Sequence, residues 1–499
     1  MAASEQAVYQ IAQEKFGITS FRAGQLETIS SIVTQRATIA VLPTGRGKSL
    51  CYQIPALLLT GTTIVVSPLI ALIEDQVNKL RKQGFAVAAL HSGLDKQEQR
   101  DCLKLFADGH LTFIYVSPER LQQARFLQIA QDTPIGLIVI DEAHCISVWG
   151  HDFRPEYTKI NAFIRQLPGS PHVAAFTATA TATVLRDIES SLSLQKAQKI
   201  ALSCQRTNLH LHALSCQNRL EKLIALLLIL QKHPRESGIL YVSTRKMAEQ
   251  LYHTLSTLDF AKKYSFGLYH GGMTTRERGI AQYKYLANET VIMIATNAFG
   301  MGIDKANIRF VVHFQIPASI EHYSQEVGRA GRDEKPSDCY HLLCAADIAI
   351  QQRMIERAKV FSAQSLVQKR KLGDLVKLVA GGQTRCIHQR LADYFGEHDT
   401  EPCRNRCSCC DPRYLVPSAT SQKRLQLLLR TAFALSQKLS CDPFSILLPN
   451  VAKLIALTNP QSIADWRLLP GIGEGWIARW QPIFMQTLTD AKQEYIDEA

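Results

Sequence analysis

The sequence predicts an α/β protein: two parallel-sheet units in tandem, then a charged, cysteine-bearing helical segment, then a small all-helical C-terminal unit. Three observations carry that prediction. First, from about residue 35 to 345, short runs rich in β-branched residues alternate with helix-length segments: "ATIAVL", "TTIVVSP", "TFIYVSP", "GLIVIDEAH", then "GILYVST", "VIMIAT" and "FVVHFQIP". Strands apolar on both faces and joined by crossovers belong to parallel sheets covered by helices. Second, these strands are too many for one ordinary sheet, and the polar "SCQRTN" interrupts them, which places a boundary near residues 205 to 215. Third, strand signals stop after residue 345, where a charged helical pattern runs to Gly381 and Gly382. The expected units are residues 1–207, 208–345 and 346–412, a linker at 413–422 around "VPSATSQ", and a helical unit at 423–499.

With 499 residues, 46% hydrophobic and 20% charged, the chain has mass for several packed units. Its longest apolar run, Leu223 to Leu230, falls short of the roughly 18 residues a membrane span needs. The start, "MAASEQAVYQ", lacks the charged-then-apolar order of a signal peptide, so neither export nor a membrane partner is expected. Thirteen cysteines, five of them between residues 386 and 410, read as a metal site in a reducing compartment. A net charge of +12 favours a polyanionic partner.

After the first strand comes "PTGRGKS", residues 43 to 49, and then a helical pattern. Gly45 and Gly47 let backbone N–H groups turn toward phosphate oxygens, Lys48 supplies a point charge, and Ser49 offers a hydroxyl to Mg²⁺. Leu42 stands where the strict eight-residue phosphate-loop pattern has its first glycine, which leaves the shorter loop of helicase-type ATPases. "LIVIDEAH" places Asp141 and Glu142 at the C-terminal end of an apolar strand, where parallel sheets hold their ligands. Asp141 suits Mg²⁺ and Glu142 suits a base for the attacking water. In "QEVGRAGRD", Arg329 and Arg332 are three residues apart, a spacing that puts both on one helix face and lets the second unit complete a site begun by the first. Closure of the two units on ATP is the mechanical output this arrangement predicts.

In order, "FRAGQ", "PTGRGKS", "VVSPLIALIEDQV", "DEAHCISVWGHDFRPEY", "FTATA", "ILYVSTRK", "IATNAFGMGIDK" and "QEVGRAGRD" resemble the motifs of RecQ-family superfamily two helicases, over roughly residues 8 to 412. The resemblance implies two RecA-like domains and an ATP-dependent 3′ to 5′ DNA helicase acting in recombination and repair. It implies nucleotide binding by Arg22, Gln25, Thr44, Gly45, Gly47, Lys48, Ser49 and Asp141, with Gln25 reading adenine. It also assigns the aromatic-rich stretch after the acidic pair to sensing DNA: Trp149 and Phe153 can stack on bases for about 1–3 kcal/mol each, and His151 and Arg154 lie beside them. Ser67, Thr179, Ser243, Arg245, Thr296 and Asp304 fall in motifs that resemble those handling the DNA backbone or interdomain coupling, without reading sequence. The partners implied are single-stranded and branched DNA and a single-stranded-DNA-binding protein, for a monomer near the nucleoid of the bacterial cytoplasm. The chain departs from the family at Ile18, where an aromatic is usual, at "FRAGQ" for "FRPGQ", and at Arg46 in the phosphate loop.

Cys386 is followed by Cys403, Cys407, Cys409 and Cys410, with spacings within the range of tetrahedral thiolate sites. The ligands expected for a structural Zn²⁺ are Cys386, Cys403, Cys407 and Cys410, with Cys409 as the alternative fourth. The segment from Asp442 to Trp480 resembles the HRDC helical domain, in which Trp466, Trp476 and Trp480 supply core or contact surface. Only about ten residues separate the cysteines from this unit, too few for the winged-helix unit that many relatives carry there.

Overall fold

The computed structural model describes residues 5–150, 152–258, 264–300, 305–357, 362–380, 385–398, 400–411 and 417–497. Among the described residues, thirteen strands form two sheets. The first contains β1 (Ala37–Val41), β2 (Thr62–Val66), β3 (Val87–Leu90), β4 (Phe113–Val116), β5 (Ile135–Ile140), β6 (His172–Thr177) and β7 (Gln198–Ala201), in the order β3-β4-β2-β5-β6-β1-β7. The second contains β8 (Leu209–Ser215), β9 (Ser237–Tyr241), β10 (Phe266–Tyr269), β11 (Ile292–Ala295), β12 (Ile308–His313) and β13 (Ser337–Leu343), in the order β10-β11-β9-β12-β13-β8. Every described pairing is parallel. The C-terminal strand ends of each sheet therefore share one edge, and the site residues gather there.

The chain passes from one sheet to the other between Ala201 and Leu209, inside "SCQRTN". The apolar runs picked out above are β1, β2, β4, β5, β9, β11 and β12. The other six strands are short or carry polar residues: β3 has four residues, and β8 and β13 read "LHLHALS" and "SDCYHLL". Buried histidines interrupt the apolar pattern in those two strands, so periodicity alone does not reveal them.

The C-terminal helices are anchored through one apolar helix. Arg219–Lys232 is apolar on nearly all sides, and Leu226 to Leu230 are all buried. A helix of that kind must be covered on both faces. The second sheet covers one face, and the helix Pro449–Thr458 packs on the other, so Leu428, Leu454, Ile455 and Trp466 share a continuous core with the second sheet unit. Trp466 and Trp480 are buried, and Trp476 stacks on Trp466 and Phe484. The helix Ala419–Leu439 begins inside the stretch expected to be linker. Its start is set by Ser418, whose hydroxyl accepts from the Ser421 N–H at 3.3 Å, an N-cap signal that outweighs the loop-like composition of "VPSATSQ".

A composite nucleotide cleft and a cysteine cluster

The phosphate loop joins β1 to the helix Lys48–Leu58. Gly47 caps that helix with φ 74° and Gly45 has φ 89°, a region that side chains disfavour. A Cβ on Gly47 would also lie 2.6 Å from Gln25 Nε2, so glycine is needed here for space as well as for φ. Gln25 is buried, and its amide is spent on the loop: Oε1 accepts from Arg22 N at 2.8 Å, and Nε2 donates to the carbonyls of Arg46 at 2.9 Å and Gly47 at 3.3 Å. The adenine-reading role expected for Gln25 needs those bonds exchanged. Arg22 donates to the Gly45 carbonyl. Ile18 packs against the first lobe's core.

Lys48 Nζ meets Glu142 Oε1 at 3.2 Å. Burial alone lowers a lysine's pKa, but Glu142 and Asp141 outweigh it and hold Lys48 above its ordinary value. Asp141 is pushed up to about 6, first by burial, with Lys48 opposing and Glu142 adding to the rise. Glu142 stands in the left-handed region at φ 49°, its N–H bonded to Asp141 Oδ1 at 3.0 Å. Behind the pair, His144 Nδ1 lies 3.3 Å from Glu142 Oε2 and 3.0 Å from Thr177 Oγ1. Thr177 gives its own proton to the Thr179 carbonyl at 2.9 Å, so the proton on that bond belongs to His144 Nδ1. Burial, then the Lys48 charge, keeps His144 neutral, well below its ordinary pKa.

The second lobe closes this site. Arg329 and Arg332 stand in turns after the helix Ile320–Val327, not on a helix face as their spacing predicts, because the helix stops at Gly328 and Gly331 takes φ 55°; they line the same cleft of about 610 Å³ as Thr44, Lys48, Ser49, Asp141 and Glu142. A Cβ on Gly45 would lie 3.3 Å from Arg332 Cγ, which puts that arginine directly over the phosphate loop. Arg329 donates to the Gly300 carbonyl, and its Nε is buried with no hydrogen-bond partner among the described residues. Arg206 fastens the two lobes together, donating to the carbonyls of Thr44 at 3.2 Å, Gly328 at 3.4 Å, Ala330 at 3.3 Å and Gly331 at 2.6 Å.

The stretch after the acidic pair divides by role. Tyr157 is buried, and its hydroxyl donates to the Asp141 carbonyl at 3.0 Å. Arg154 donates to the Pro68 carbonyl at 2.6 Å, pairs with Asp152 at 3.2 Å and lines the nucleotide cleft. Trp149 is 40% exposed and Phe153 is half-buried, so neither is core. Ser67 and Thr179 are buried on the first lobe, with hydroxyls that meet no hydrogen-bond partner among the described residues. On the second lobe, Ser243 spends its hydroxyl, donating to the Ile316 carbonyl at 2.9 Å and accepting from Gln351 at 3.0 Å. Arg245 is exposed and Thr296 buried. His151 and Asp304 lie outside the described residues.

The ligand atoms of Cys386, Cys403, Cys407 and Cys410 lie within 4.8 Å of one another. Cys409 turns aside, its sulfur accepting from Arg390 at 3.4 Å. The cluster is tied to the second lobe, because Cys407 bridges to Leu211 at the β8 edge. His210, His212 and Asp338 also lie within ligand distance of one another. There Lys232 pairs with Asp338 at 3.1 Å and already supplies a cation.

Three family descriptions match in order: DEAD/DEAH box helicase at residues 22–188, helicase conserved C-terminal domain at 218–334, and RecQ zinc-binding at 345–411. The chain is 41% identical over 394 residues to the probable ATP-dependent DNA helicase RecS of Bacillus subtilis, covering 79% of this chain and 76% of that one. The chain belongs to the RecQ helicase family. It is 41% identical to the ATP-dependent DNA helicase RecQ of B. subtilis, covering 80% of this chain and 66% of that one, and 39% identical to RecQ of Haemophilus influenzae, covering 81% and 63%. This RecQ-family chain thus spans just under two thirds of those two RecQ relatives. Among solved structures, Mss116p bound to single-stranded RNA and AMP-PNP aligns at TM-score 0.57 and 15% identity, covering 97% of this chain and 94% of that one. The helicase MrfA bound to DNA aligns at 0.57 and 18%, covering 75% and 57%. At that identity the likeness establishes the fold, two tandem RecA-like domains. Sequence reasoning missed Arg206 in this RecQ-family chain, since a single arginine in a polar turn carries no spacing signal. It also missed Lys371, one basic residue among several in "QKRKLGDL".

Proposed function

We propose that this chain is an ATP-dependent DNA helicase that moves 3′ to 5′ along single-stranded DNA by closing its two RecA-like lobes on ATP, in recombination and repair. The observation that carries the reading is the shared cleft, in which Arg329 and Arg332 of one lobe face Lys48, Asp141 and Glu142 of the other. In this reading the N–H groups of Thr44, Gly45 and Gly47 cradle the phosphates, and Arg22 and Gln25 flank the base. The buried, cation-seeking Asp141 and the helix-start hydroxyl of Ser49 fit Mg²⁺, which when bound neutralises charge on the outer phosphates.

The Lys48–Glu142 pair acts as a placeholder: phosphate competes for the ammonium and frees the carboxylate to take a proton from water. The water oxygen bonds to the γ-phosphorus, the bond to the bridging oxygen breaks with its electron pair leaving on ADP, and the proton passes to Glu142. Arg329 and Arg332 stabilise the charge that develops, so hydrolysis is fast only when the lobes are closed.

Ser67, Thr179, Ser243, Arg245 and Thr296 stand at or near the C-terminal strand ends of the two sheets, where they would hold phosphates independently of sequence. Trp149 and Phe153 would stack on bases. Cys386, Cys403, Cys407 and Cys410 would hold a structural Zn²⁺, since four thiolates leave no open position. The C-terminal helices are read as an HRDC-like docking unit. The protein is read as a monomer on nucleoid DNA in the bacterial cytoplasm, meeting single-stranded-DNA-binding protein there.

The test is strand displacement on forked, 3′-overhang and 5′-overhang duplexes, with the Lys48→Ala chain as control. Displacement from the 3′ overhang with ATP, lost in Lys48→Ala while DNA binding persists, is the expected result. No displacement from any substrate, or displacement only from the 5′ overhang, would refute the reading.

A further inference from the structure

We propose that Lys371 is the positioning residue that links the aromatic loop of the first lobe to the arginine-bearing segment of the second, so that DNA seated on the loop sets where Arg329 and Arg332 stand. The inference rests on the helicase reading above and adds to it the physical connection between the DNA and ATP sites.

Lys371 lies on the helix Ser362–Val379, between the second lobe and the cysteine cluster. Its neighbours Lys369 and Arg370 are exposed, whereas Lys371 is buried. An ammonium carries three protons, and all three are directed at named partners. Two go to the carbonyls of Trp149 and Gly150, the latter at 3.3 Å, and the third to Glu321 Oε1 at 2.6 Å.

Each partner leads to a functional element. Trp149 and Gly150 belong to the aromatic loop. A Cβ on Gly150 would lie 2.2 Å from the His144 carbonyl, so the end of the loop rests directly on the backbone of the residue beside Glu142. Glu321 is the second residue of the helix Ile320–Val327, and Arg329 follows two residues after that helix ends. Tyr394, the last residue of the helix Ile387–Tyr394 that starts just after Cys386, donates to the same Glu321 oxygen at 3.0 Å. Burial pushes the Glu321 carboxyl up, but Lys371 outweighs it and holds the group ionised below its ordinary range.

A buried ammonium that spans two lobes cannot lose one side at no cost. If stacking of Trp149 on a base lifts the loop, Lys371 loses two of its three acceptors, and an under-paired buried charge is strongly unfavourable. The loop therefore has two discrete states, docked on Lys371 or released, and each fixes a different register between the lobes. Glu321 passes that register to the arginines through a helix of two turns.

The experiment uses the full zinc-loaded chain. Lys371→Met, Lys371→Arg and the double variant Lys371→Met/Glu321→Gln are compared with wild type for ATP hydrolysis without and with saturating single-stranded DNA, for DNA affinity and for zinc content. The double variant removes both charges, so it leaves no lone buried ion to prevent folding. Lys371→Met and the double variant, which cannot hold the loop docked, are expected to lose about tenfold of the DNA stimulation, with DNA-free hydrolysis moved toward the stimulated rate, DNA affinity at or above that of wild type and zinc unchanged, and with part of the stimulation recovered in Lys371→Arg. Wild-type stimulation in the double variant, or an equal fall in DNA-free and DNA-stimulated rates, overturns the inference and leaves the helicase reading standing. Absence of any stimulation in the wild type overturns both.

Discussion

Where the two RecA-like lobes face each other, guanidinium and ammonium groups bond to backbone carbonyls; where the second lobe meets the C-terminal helices, leucine packs on leucine. Arg206 and Lys371 supply the first interface, and Leu226 to Leu230 with Leu428, Leu454 and Ile455 supply the second. A single hydrogen bond to a carbonyl contributes only about 0.5–1.5 kcal/mol net and can be exchanged for water, phosphate or another donor. Apolar burial, at roughly 25 cal/mol per Å², has no such exchange partner. The difference predicts which joint moves: the nucleotide cleft should act as the hinge, while the second lobe, the cysteine cluster and the C-terminal helices should travel as one body.

The largest effect should come from breaking the apolar joint. Leu454→Ala in that core should cost about 2–5 kcal/mol. Three of the four tryptophans, Trp466, Trp476 and Trp480, report on the C-terminal helices. Their fluorescence should therefore shift to lower denaturant together with the far-ultraviolet circular dichroism of the sheets. A fluorescence transition that moves alone would make the C-terminal unit an independent body.

Weakening the polar joint should act on rate rather than on folding. Arg206→Ala should lower kcat for DNA-stimulated hydrolysis about 10²-fold, the scale of a misplaced catalytic group, with little change in KM for ATP. A fall in thermal stability with unchanged kcat would reverse the roles assigned to the two joints.

Acid should act on the cleft through Asp141. Because the Asp141 pKa is raised to about 6, the native chain takes up a proton that an unfolded chain accepts only near the ordinary carboxylate value. Without metal, this group therefore makes the fold more stable as pH falls from about 6 toward 4. Mg²⁺ competes with that proton, so its apparent affinity should weaken up to about tenfold per pH unit below 6, read by Mg²⁺ titration of hydrolysis in the wild-type chain, and a pH-independent Mg²⁺ affinity would contradict this.

The smallest effect is expected at Cys409. Cys409→Ser should retain zinc at the wild-type level, because its sulfur faces Arg390, whereas Cys386→Ser should lose the metal. Elemental analysis of the two purified variants checks this.

Both sheets were legible in the sequence wherever strands are apolar on both faces, and the phosphate loop, acidic pair and arginine pair stood out because their spacing is chemical. What stayed illegible depends on tertiary contact. The strands β8 and β13 hide behind His210, His212 and His341, which are buried without being apolar. Spacing permits either Cys409 or Cys410 in the thiolate cluster, and only the turn of the chain separates them. The amide of Gln25 bonds the phosphate loop more than twenty residues away, and no local pattern announces that. Arg206 and Lys371 are single cations whose importance comes from the carbonyls that surround them.

In the proposed mechanism, guanidinium groups from one lobe complete a catalytic site built by the other. Single-turnover hydrolysis by Arg329→Ala and Arg332→Ala, with ATP affinity measured in parallel, tests it most directly. Each should lose about 10³-fold or more in rate, with ATP affinity changed only a few-fold. Turnover close to wild type in both variants would contradict it.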